Sequence, residues 1–257
     1  MKIYLALCLL LVSMSVSATE KTYTHGFLNF PPFFTNEAGK EQLGHWGLGR
    51  EMMNEVYANA GLNVKWVELP YARLLTAVKQ GDYTFHNIGP NLEEFVYYPI
   101  PGGTLNISVY HNGSQDQLPQ KPEEFEVSGK RIAMVRAWPA LGYESLFKSE
   151  KTNLTKVDRP RQGIEMLKRG RIDFFITLRD PVEMLPPKVL QGLEHKDLMS
   201  ITGFYTSVPK KHPNAKEVAE RITKSFNDLK AKGIIFEVEE GRHVLKRMYH
   251  QRSEVSK

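Results

Sequence analysis

Thiol chemistry is nearly absent from this chain: the single cysteine among 257 residues is Cys8. It lies in an opening segment that reads as a leader, with Lys2 followed by the apolar run Ile3 to Val12 and the small-residue stretch Ser13 to Ala18. A basic start, a short apolar core and a Val16-Ser17-Ala18 cleavage pattern are the three regions of a secretory signal, expected to be cut after Ala18. The core is too short to span a bilayer as a helix, and Leu7 before Cys8 is too large for a lipid-attachment site. Residues 1–18 are therefore expected to be removed, leaving a chain without thiol or disulfide that must be held by packing alone. A chain of this size has a large enough interior for that, and an oxidising compartment permits disulfides without requiring them.

Long apolar runs are equally scarce. No stretch after Ala18 approaches the roughly 18 apolar residues of a membrane span, so membrane insertion of the mature chain is not expected. Charge of one sign is not concentrated either: 34 Lys and Arg stand against 29 Asp and Glu, for a formal charge of +5, and the basic residues are scattered through helical stretches. That distribution excludes a nucleic-acid track, and Lys210-Lys211 and the tail around Lys246, Arg247 and Arg252 read as solvated helix faces. The eight histidines show no metal-ligand spacing, with His243 and His250 placed on a surface tail. There is no Gly-X-Ser-X-Gly elbow and no nucleotide-binding glycine motif, so no cofactor is expected. Three Asn-X-Ser/Thr sequons, at Asn106, Asn112 and Asn153, carry meaning only in a eukaryotic secretory pathway.

What is present is an alternating α/β grammar. Tyr23 to Leu28 reads as a strand, followed by a Pro31-Pro32 turn and a loop punctuated by Gly39, Gly44 and Gly47. Leu48, Met52, Val56 and Ala60 recur at helical spacing, with Gly61 at the C-terminal cap. Val64 to Leu69 is the next strand, Pro70 opens a helix that Gly81 closes, and Asp82 to Ile88 is a third strand. This order calls for a parallel sheet with crossover helices. A short helix is expected at Leu92 to Tyr97 and a strand at Leu105 to Tyr110, after which the polar stretch Asn112 to Pro122 suits a boundary. The grammar then restarts with strand Arg131–Arg136, helix Leu141–Phe147, strand Leu154–Val157, helix Arg161–Leu167 and strand Ile172–Leu178. Met199 to Val208 reads as a strand and Ala215 to Ala231 as an amphipathic helix with Val218, Ile222, Phe226 and Leu229 on one face. Ile234 to Met248 reads as one further helix or two short ones.

The order of these elements resembles the family 3 extracellular solute-binding proteins, the periplasmic amino-acid-binding-like components of ABC transporters. The resemblance is carried by Asn29-Phe30-Pro31-Pro32-Phe33, by Gly39-Lys40 with Gly44, by Gly81-Asp82 and by Gly129-Lys130-Arg131-Ile132-Ala133. Gly170-Arg171-Ile172-Asp173 and the Val208-Pro209-Lys210 segment before the long helix to Lys232-Gly233 complete it, over nearly the whole mature chain. It implies a type II periplasmic-binding-protein-like α/β fold: two lobes, each a mostly parallel sheet flanked by helices. Residues 19–110 and 205–257 would form lobe I and 111–204 lobe II. Two parallel hinge crossings are expected near Ser108 to Asn112 and Ile201 to Tyr205. The implied function is capture of a small polar, amino-acid-like or carboxylated solute in the interlobe cleft by a periplasmic monomer, for an ABC permease. Alternatives are a partner that presents its ligand to a membrane sensor, and a dehydratase-like enzyme on the same fold. For the last, Glu93, Glu94, His86 and Asp180 are the acid and base candidates, and they form no recognisable pair.

The resemblance places the ligand against the aromatic loop Phe33-Phe34, with Phe30 in the core, and makes Trp46, between His45 and Gly47, a similar candidate. Tyr71 and Arg73 sit in the first turn of the second helix. A cation there opposes the helix dipole, so Arg73 wants a carboxylate, from a ligand or from Glu68. Asn87, Gly89 and Asn91 follow the third strand, where related proteins present donors to a ligand carboxylate. In lobe II, Arg136 and Trp138 end a cleft-facing strand and Tyr143 begins the next element. Arg136 can grip a carboxylate with two parallel hydrogen bonds, or else pair with Glu144. Two charges usual in the family are displaced: Asn91-Leu92-Glu93-Glu94 lacks the arginine of a Thr-X-Glu-Arg-like stretch, and Arg179 stands where an ammonium-binding Asp is usual, with Asp180 one residue late. An ordinary α-amino acid in the usual orientation is thus not the expected ligand.

Overall fold

A computed structural model describes residues 21–87, 92–113, 118–136, 143–239 and 242–248. The leader and Cys8 lie outside the described residues. The strands are β1 (Thr22–Phe27), β2 (Asn63–Glu68), β3 (Phe85–His86), β4 (Val96–Asn112), β5 (Arg131–Val135), β6 (Asn153–Val157), β7 (Phe174–Leu178), β8 (Leu193–Pro209), β9 (Ile235–Glu239) and β10 (Arg242–Leu245). The helices are α1 (Glu37–Leu43), α2 (Leu48–Asn59), α3 (Tyr71–Gln80), α4 (Pro122–Val127), α5 (Pro160–Lys168), α6 (Arg179–Glu183), α7 (Pro187–Leu190) and α8 (Ala215–Ala231), with a 3-10 turn at Glu144–Phe147.

The strand order is β2-β1-β3-β8-β4-β7-β5-β6, with β9 and β10 as a separate hairpin. At one end β2, β1 and β3 are mutually parallel, and at the other β6, β5 and β7 are. Each parallel trio is joined by helices, as βαβ connections require. Between the trios run the two 17-residue strands β4 and β8, antiparallel to each other from Val96↔Pro209 to Asn112↔Leu193. β8 also meets β3 at His86↔Ser207, and β4 meets β7 from Ile107↔Leu178 to Tyr110↔Phe175. The result is two mixed-sheet lobes flanked by helices, sharing one antiparallel ribbon.

That ribbon corrects the expectation of parallel crossing segments. Ser108 to Asn112 faces Leu193 to Asp197, whereas Ile201 lies opposite Leu105, so the two stretches are not level. The ladder is broken between Tyr97 and Thr104, where its register shifts three times. Pro99, Pro101, Gly102 and Gly103 fall there: proline has no N–H to give, and glycine admits the bends of a bulged strand.

Three other elements differ from the pattern reading. The helix expected at Leu92 to Tyr97 is a turn, with Phe95 and Val96 N–H bonded to Leu92 O (2.8 and 3.0 Å) before the chain extends into β4. The glycine-punctuated loop contains α1, capped by Asn36 Oδ1, which accepts from Gly39 N–H (3.1 Å), and closed by Gly44 at φ 75°. None of α1's residues is buried, so it has no apolar stripe to read. The C-terminal stretch is the hairpin β9–β10 rather than helix. His243 is not on a surface tail: it is 4% exposed, under Phe226 and against Tyr205.

Packing follows the periodicity elsewhere. α2 buries Leu48, Met52, Met53, Val56 and Tyr57, and α8 buries Val218, Ile222, Phe226 and Leu229. Asn59 Nδ2 bonds Ser225 Oγ (3.0 Å), which donates to Val56 O (2.7 Å), so the α2–α8 contact is stitched as well as apolar. In the second lobe every residue of β7 is buried. There Gly163 of α5 approaches the Phe175 ring so closely that a Cβ would lie 2.4 Å from it.

Two buried histidines sit on opposite faces of the first sheet. His25 stacks on Trp66 (ring centroids 4.0 Å) and shares a hydrogen bond with Tyr57 OH (2.8 Å), which bonds Thr206 Oγ1 (3.2 Å). His86 lies near Leu69, Leu74 and Tyr83, and among the described residues neither of its ring nitrogens has a hydrogen-bond partner. Burial holds both imidazoles neutral, with His86 lowered to about 3 and His25 also well below the usual histidine range.

Two outcomes follow. Gly163→Ala should destabilise the protein by about 1–3 kcal/mol in chemical denaturation, because the fully buried Phe175 ring has to leave its place. Stability should be nearly flat between about pH 7.5 and pH 9. It should fall as pH drops from 6.5 toward 3, because the unfolded chain then binds protons that the folded chain refuses. The slope approaches about 1.4 kcal/mol per pH unit for each histidine, and His86→Leu should remove one share of it in urea melts run between pH 7 and pH 4.5.

Candidate functional site

In sheets of this kind ligands lie beyond the carboxyl ends of the parallel strands, so those ends define the candidate site. In the first lobe β1 runs into the Leu28 to Thr35 loop, β2 into Pro70 and Tyr71, and β3 into Asn87. Asn87 continues the ladder with its side chain: Oδ1 accepts from Leu28 N–H (2.8 Å) and Nδ2 donates to Leu28 O (3.3 Å). Asn29 Oδ1 is buried and has no hydrogen-bond partner among the described residues. Tyr71 is half-buried at the start of α3, and Arg73 is exposed in its first turn. The Glu68 carboxylate accepts from Asn36 Nδ2 (3.2 Å) rather than pairing with Arg73.

The aromatic loop folds back on itself, with Phe30 and Phe34 exchanging backbone hydrogen bonds (2.7 and 2.9 Å). Both candidate rings are buried: Phe34 packs beside His25 and Trp66, while Phe33 stacks on Phe30 (5.7 Å). The N-terminus of α2 is consumed by this loop. Leu48 N–H donates to Pro32 O (2.9 Å), and Gly49 and Arg50 N–H donate to Phe33 O (2.9 and 3.0 Å). The approach requires glycine, since a Cβ on Gly47, at φ 98°, would meet Phe33 O at 2.5 Å. Trp46 lies between two cations, Lys40 Nζ (4.1 Å) and the Arg50 guanidinium (3.8 Å). Arg50 also donates to Thr35 O (3.0 Å), and burial lowers its pKa to about 10.

In the second lobe Arg136 follows β5 and its Nε pairs with Asp158 Oδ1, at the end of β6 (3.3 Å); the side chain of Glu144, the other expected partner, lies outside the described residues. Both side chains are mostly exposed, so this pair is weak and exchangeable. Tyr143 is buried; its hydroxyl donates to Gln120 O, its ring meets Phe125 edge-on, and burial pushes its phenol up to about 12. Arg179 is held by Asp197 (2.7 Å) and Glu183 (3.2 Å). Asp180, in the first turn after β7, is 8% exposed; burial raises its pKa, and Arg242 Nη2 opposes that shift from 2.8 Å. Gly89, Asn91 and Trp138 lie outside the described residues. Among the described residues no cluster of His, Cys, Asp and Glu is arranged to hold a metal ion, and no helix is long and apolar enough to cross a membrane.

Pattern reading therefore places Phe33, Asn87, Arg136 and Asp180 at strand ends or in the loops that follow them, and it misses Arg242. The missed residue comes from β10. Its guanidinium lies over the Phe33 ring (5.2 Å) and reaches Thr104 O (3.3 Å) in the ribbon as well as Asp180. A signal was there: Ile234 to Glu239 is rich in β-branched and aromatic residues and is followed by Gly241, a hairpin pattern.

No family model matches the chain, and no curated protein matches its sequence. Its architecture is shared with solved structures of low sequence identity. A histidine kinase sensor domain with similarity to periplasmic binding proteins superposes with a TM-score of 0.62 at 16% identity, covering 83% of this chain and 92% of that one. Holo ArgBP from T. maritima gives 0.60 at 19% identity, covering 81% and 90%. The substrate binding protein of an amino acid ABC transporter gives 0.59 at 18% identity, covering 83% and 95%. The chain thus has the two-lobed fold of periplasmic binding proteins.

Proposed function

We propose that this protein is a periplasmic solute-binding protein of the family 3 type, capturing a small carboxylated or amino-acid-like solute between its lobes for an ABC transporter. Residues 19–110 and 205–257 form lobe I in this reading, residues 111–204 form lobe II, and the leader is cleaved after Ala18. The observation that carries it is the placement of both sets of parallel strand ends at one shared ribbon whose ladder is broken at Pro99 to Gly103. Such a break is where backbone torsions change when two lobes close on a guest. The exposed Arg136–Asp158 pair supports a carboxylated guest, since a ligand carboxylate can replace Asp158 at little cost. The fold relatives point the same way, because an ancestral arginine-binding protein of this fold has been solved with arginine and with glutamine.

Capture without chemistry is favoured over a dehydratase-like reaction by the state of the acid and base candidates. His86 is wholly buried, Asp180 is occupied by Arg242, and Glu93 and Glu94 are exposed on a turn. A second reading, presentation of the bound solute to a membrane sensor, is favoured by the likeness to a histidine kinase sensor domain.

A thermal-shift screen of amino acids, small carboxylates, polyamines and short peptides tests capture. A ligand of the folded state alone should add about 2.7 kcal/mol of stability at 100 times its Kd, and it should be recovered chemically unchanged. No stabilisation by any member, or conversion of one, would overturn the reading. For a carboxylated ligand, Arg136→Ala should weaken binding by roughly 1.5–3 kcal/mol in titration calorimetry.

A further inference from the structure

The C-terminal hairpin is anchored to the first lobe. Tyr205 OH accepts from His243 N–H (3.0 Å) and donates to His243 O (2.9 Å). Just beyond β10, Arg247 pairs with Glu55 of α2 (2.7 Å). From this anchor Arg242 lies across the interrupted part of the ribbon, where its Nη2 donates to Thr104 O (3.3 Å). A Cβ on Gly103 would stand 2.8 Å from Arg242 Cβ, so the hairpin can sit this close only over glycine. Gly203 is packed on the same spot, since a Cβ there would lie 3.1 Å from Gly103 O.

Arg242 also reaches the other lobe. The same Nη2 meets Asp180 Oδ1, in the first turn after β7, at 2.8 Å, and the two side chains are only 19% and 9% exposed. Phe33, in the loop after β1, backs the guanidinium at 5.2 Å. Charges withdrawn from water to this degree need a partner, because solvent no longer compensates them. Burial pushes the Asp180 carboxyl up, and among the influences that oppose this Arg242 is the largest. The contrast with Arg136–Asp158 is instructive: that pair is exposed and ties neighbouring strand ends of one lobe, whereas this one is buried and spans two.

From this we infer that the Arg242–Asp180 pair is an interlobe latch, holding the two lobes together across the interrupted ribbon when no solute lies between them. The inference goes beyond solute capture: it concerns the resting position of the lobes, and Arg242 acts on Asp180 rather than on a guest. Where the ladder is broken, backbone pairing fixes the angle between the lobes only loosely. A buried ion pair supplies what is missing, because opposite charges attract more strongly out of water and moving the lobes apart must separate them. Parting the pair is then a step in opening, and its strength sets the share of molecules found open.

The test is the distance between two spin labels in the solute-free full chain, measured by pulsed electron–electron double resonance. The labels go on Lys65→Cys in β2 and Asn153→Cys in β6, exposed positions on the outermost strands of the two lobes. Cys8→Ser removes the chain's own thiol. The labelled chain should show a single short-distance population. Arg242→Met, which keeps the reach of the side chain without its charge, and Asp180→Ala should each move population to longer distances, since each leaves one buried charge without its partner. The double variant should show less than the sum of the two single shifts, because both changes remove the same interaction. Circular dichroism checks the fold of each variant, and the double variant keeps the test decisive if a lone buried charge prevents folding. If every folded variant keeps the distance distribution of the unsubstituted labelled chain, the latch is overturned, while the thermal-shift screen decides capture separately.

Discussion

The antiparallel pairing of β4 and β8 is the constraint on which the rest of the structure depends. Each strand is long enough to belong to both sheets, so the same two stretches of backbone supply an inner strand to each lobe and also the connection between them. Backbone hydrogen bonds in such a ribbon are satisfied by the partner strand wherever the chain is regular. Where proline and glycine interrupt it, the two halves lose their common register. The two lobes are thus joined by one ribbon whose regular pairing is interrupted over a run of five residues, Pro99 to Gly103.

Polar ties attach the surrounding elements to that ribbon. Tyr57 links His25 in β1 to Thr206 in β8. Ser207 Oγ donates to His86 O (3.1 Å), and Asp197 Oδ1 accepts from Ser108 Oγ (2.5 Å) while Oδ2 holds Arg179. Tyr205 secures the hairpin. Buried polar groups of this kind are costly to leave unmatched, so they define one arrangement of β8 against its neighbours more sharply than apolar contact does. The first lobe is accordingly fixed on its own β1 and α2 rather than on the second lobe.

Much of this was legible beforehand. Helices α2 and α8 announce themselves because each buries one stripe at helical spacing, and Gly81 and Gly233 mark real helix ends, with φ of 80° and 67°. The strand order read from residues 23 to 87 and from 131 to 178 is the order observed, although the helix expected at Leu141 to Phe147 is, among the described residues, a 3-10 turn at Glu144–Phe147. What pattern reading lost has physical causes. α1 buries nothing, so it lacks a hydrophobic signature. The β4–β8 pairing is long-range, and strand direction leaves no mark in either strand's own residues. Arg242 is hidden for a related reason: the stretch carrying it reads as helix, and an arginine near the tail looks like any solvated one until its neighbours are known. Among the sequence candidates, Phe34 and Tyr143 show how an aromatic in a loop or turn can be spent on the interior, whereas Arg136 remains at a strand end.

The position of the hairpin along the chain bears on when the molecule becomes competent. Every strand of the eight-stranded arrangement has been synthesised by Pro209, so both lobes can form their sheets before β9 and β10 exist. Arg242 arrives after all of them and settles onto surfaces already present: Phe33, Gly103 and Asp180. During translation, a nascent chain can therefore hold every strand of that arrangement while the gap between its lobes still lacks the Arg242 side chain. Until that last segment docks, Asp180 has only Arg179 as a nearby cation, so the hairpin adds the closer of its two charge partners.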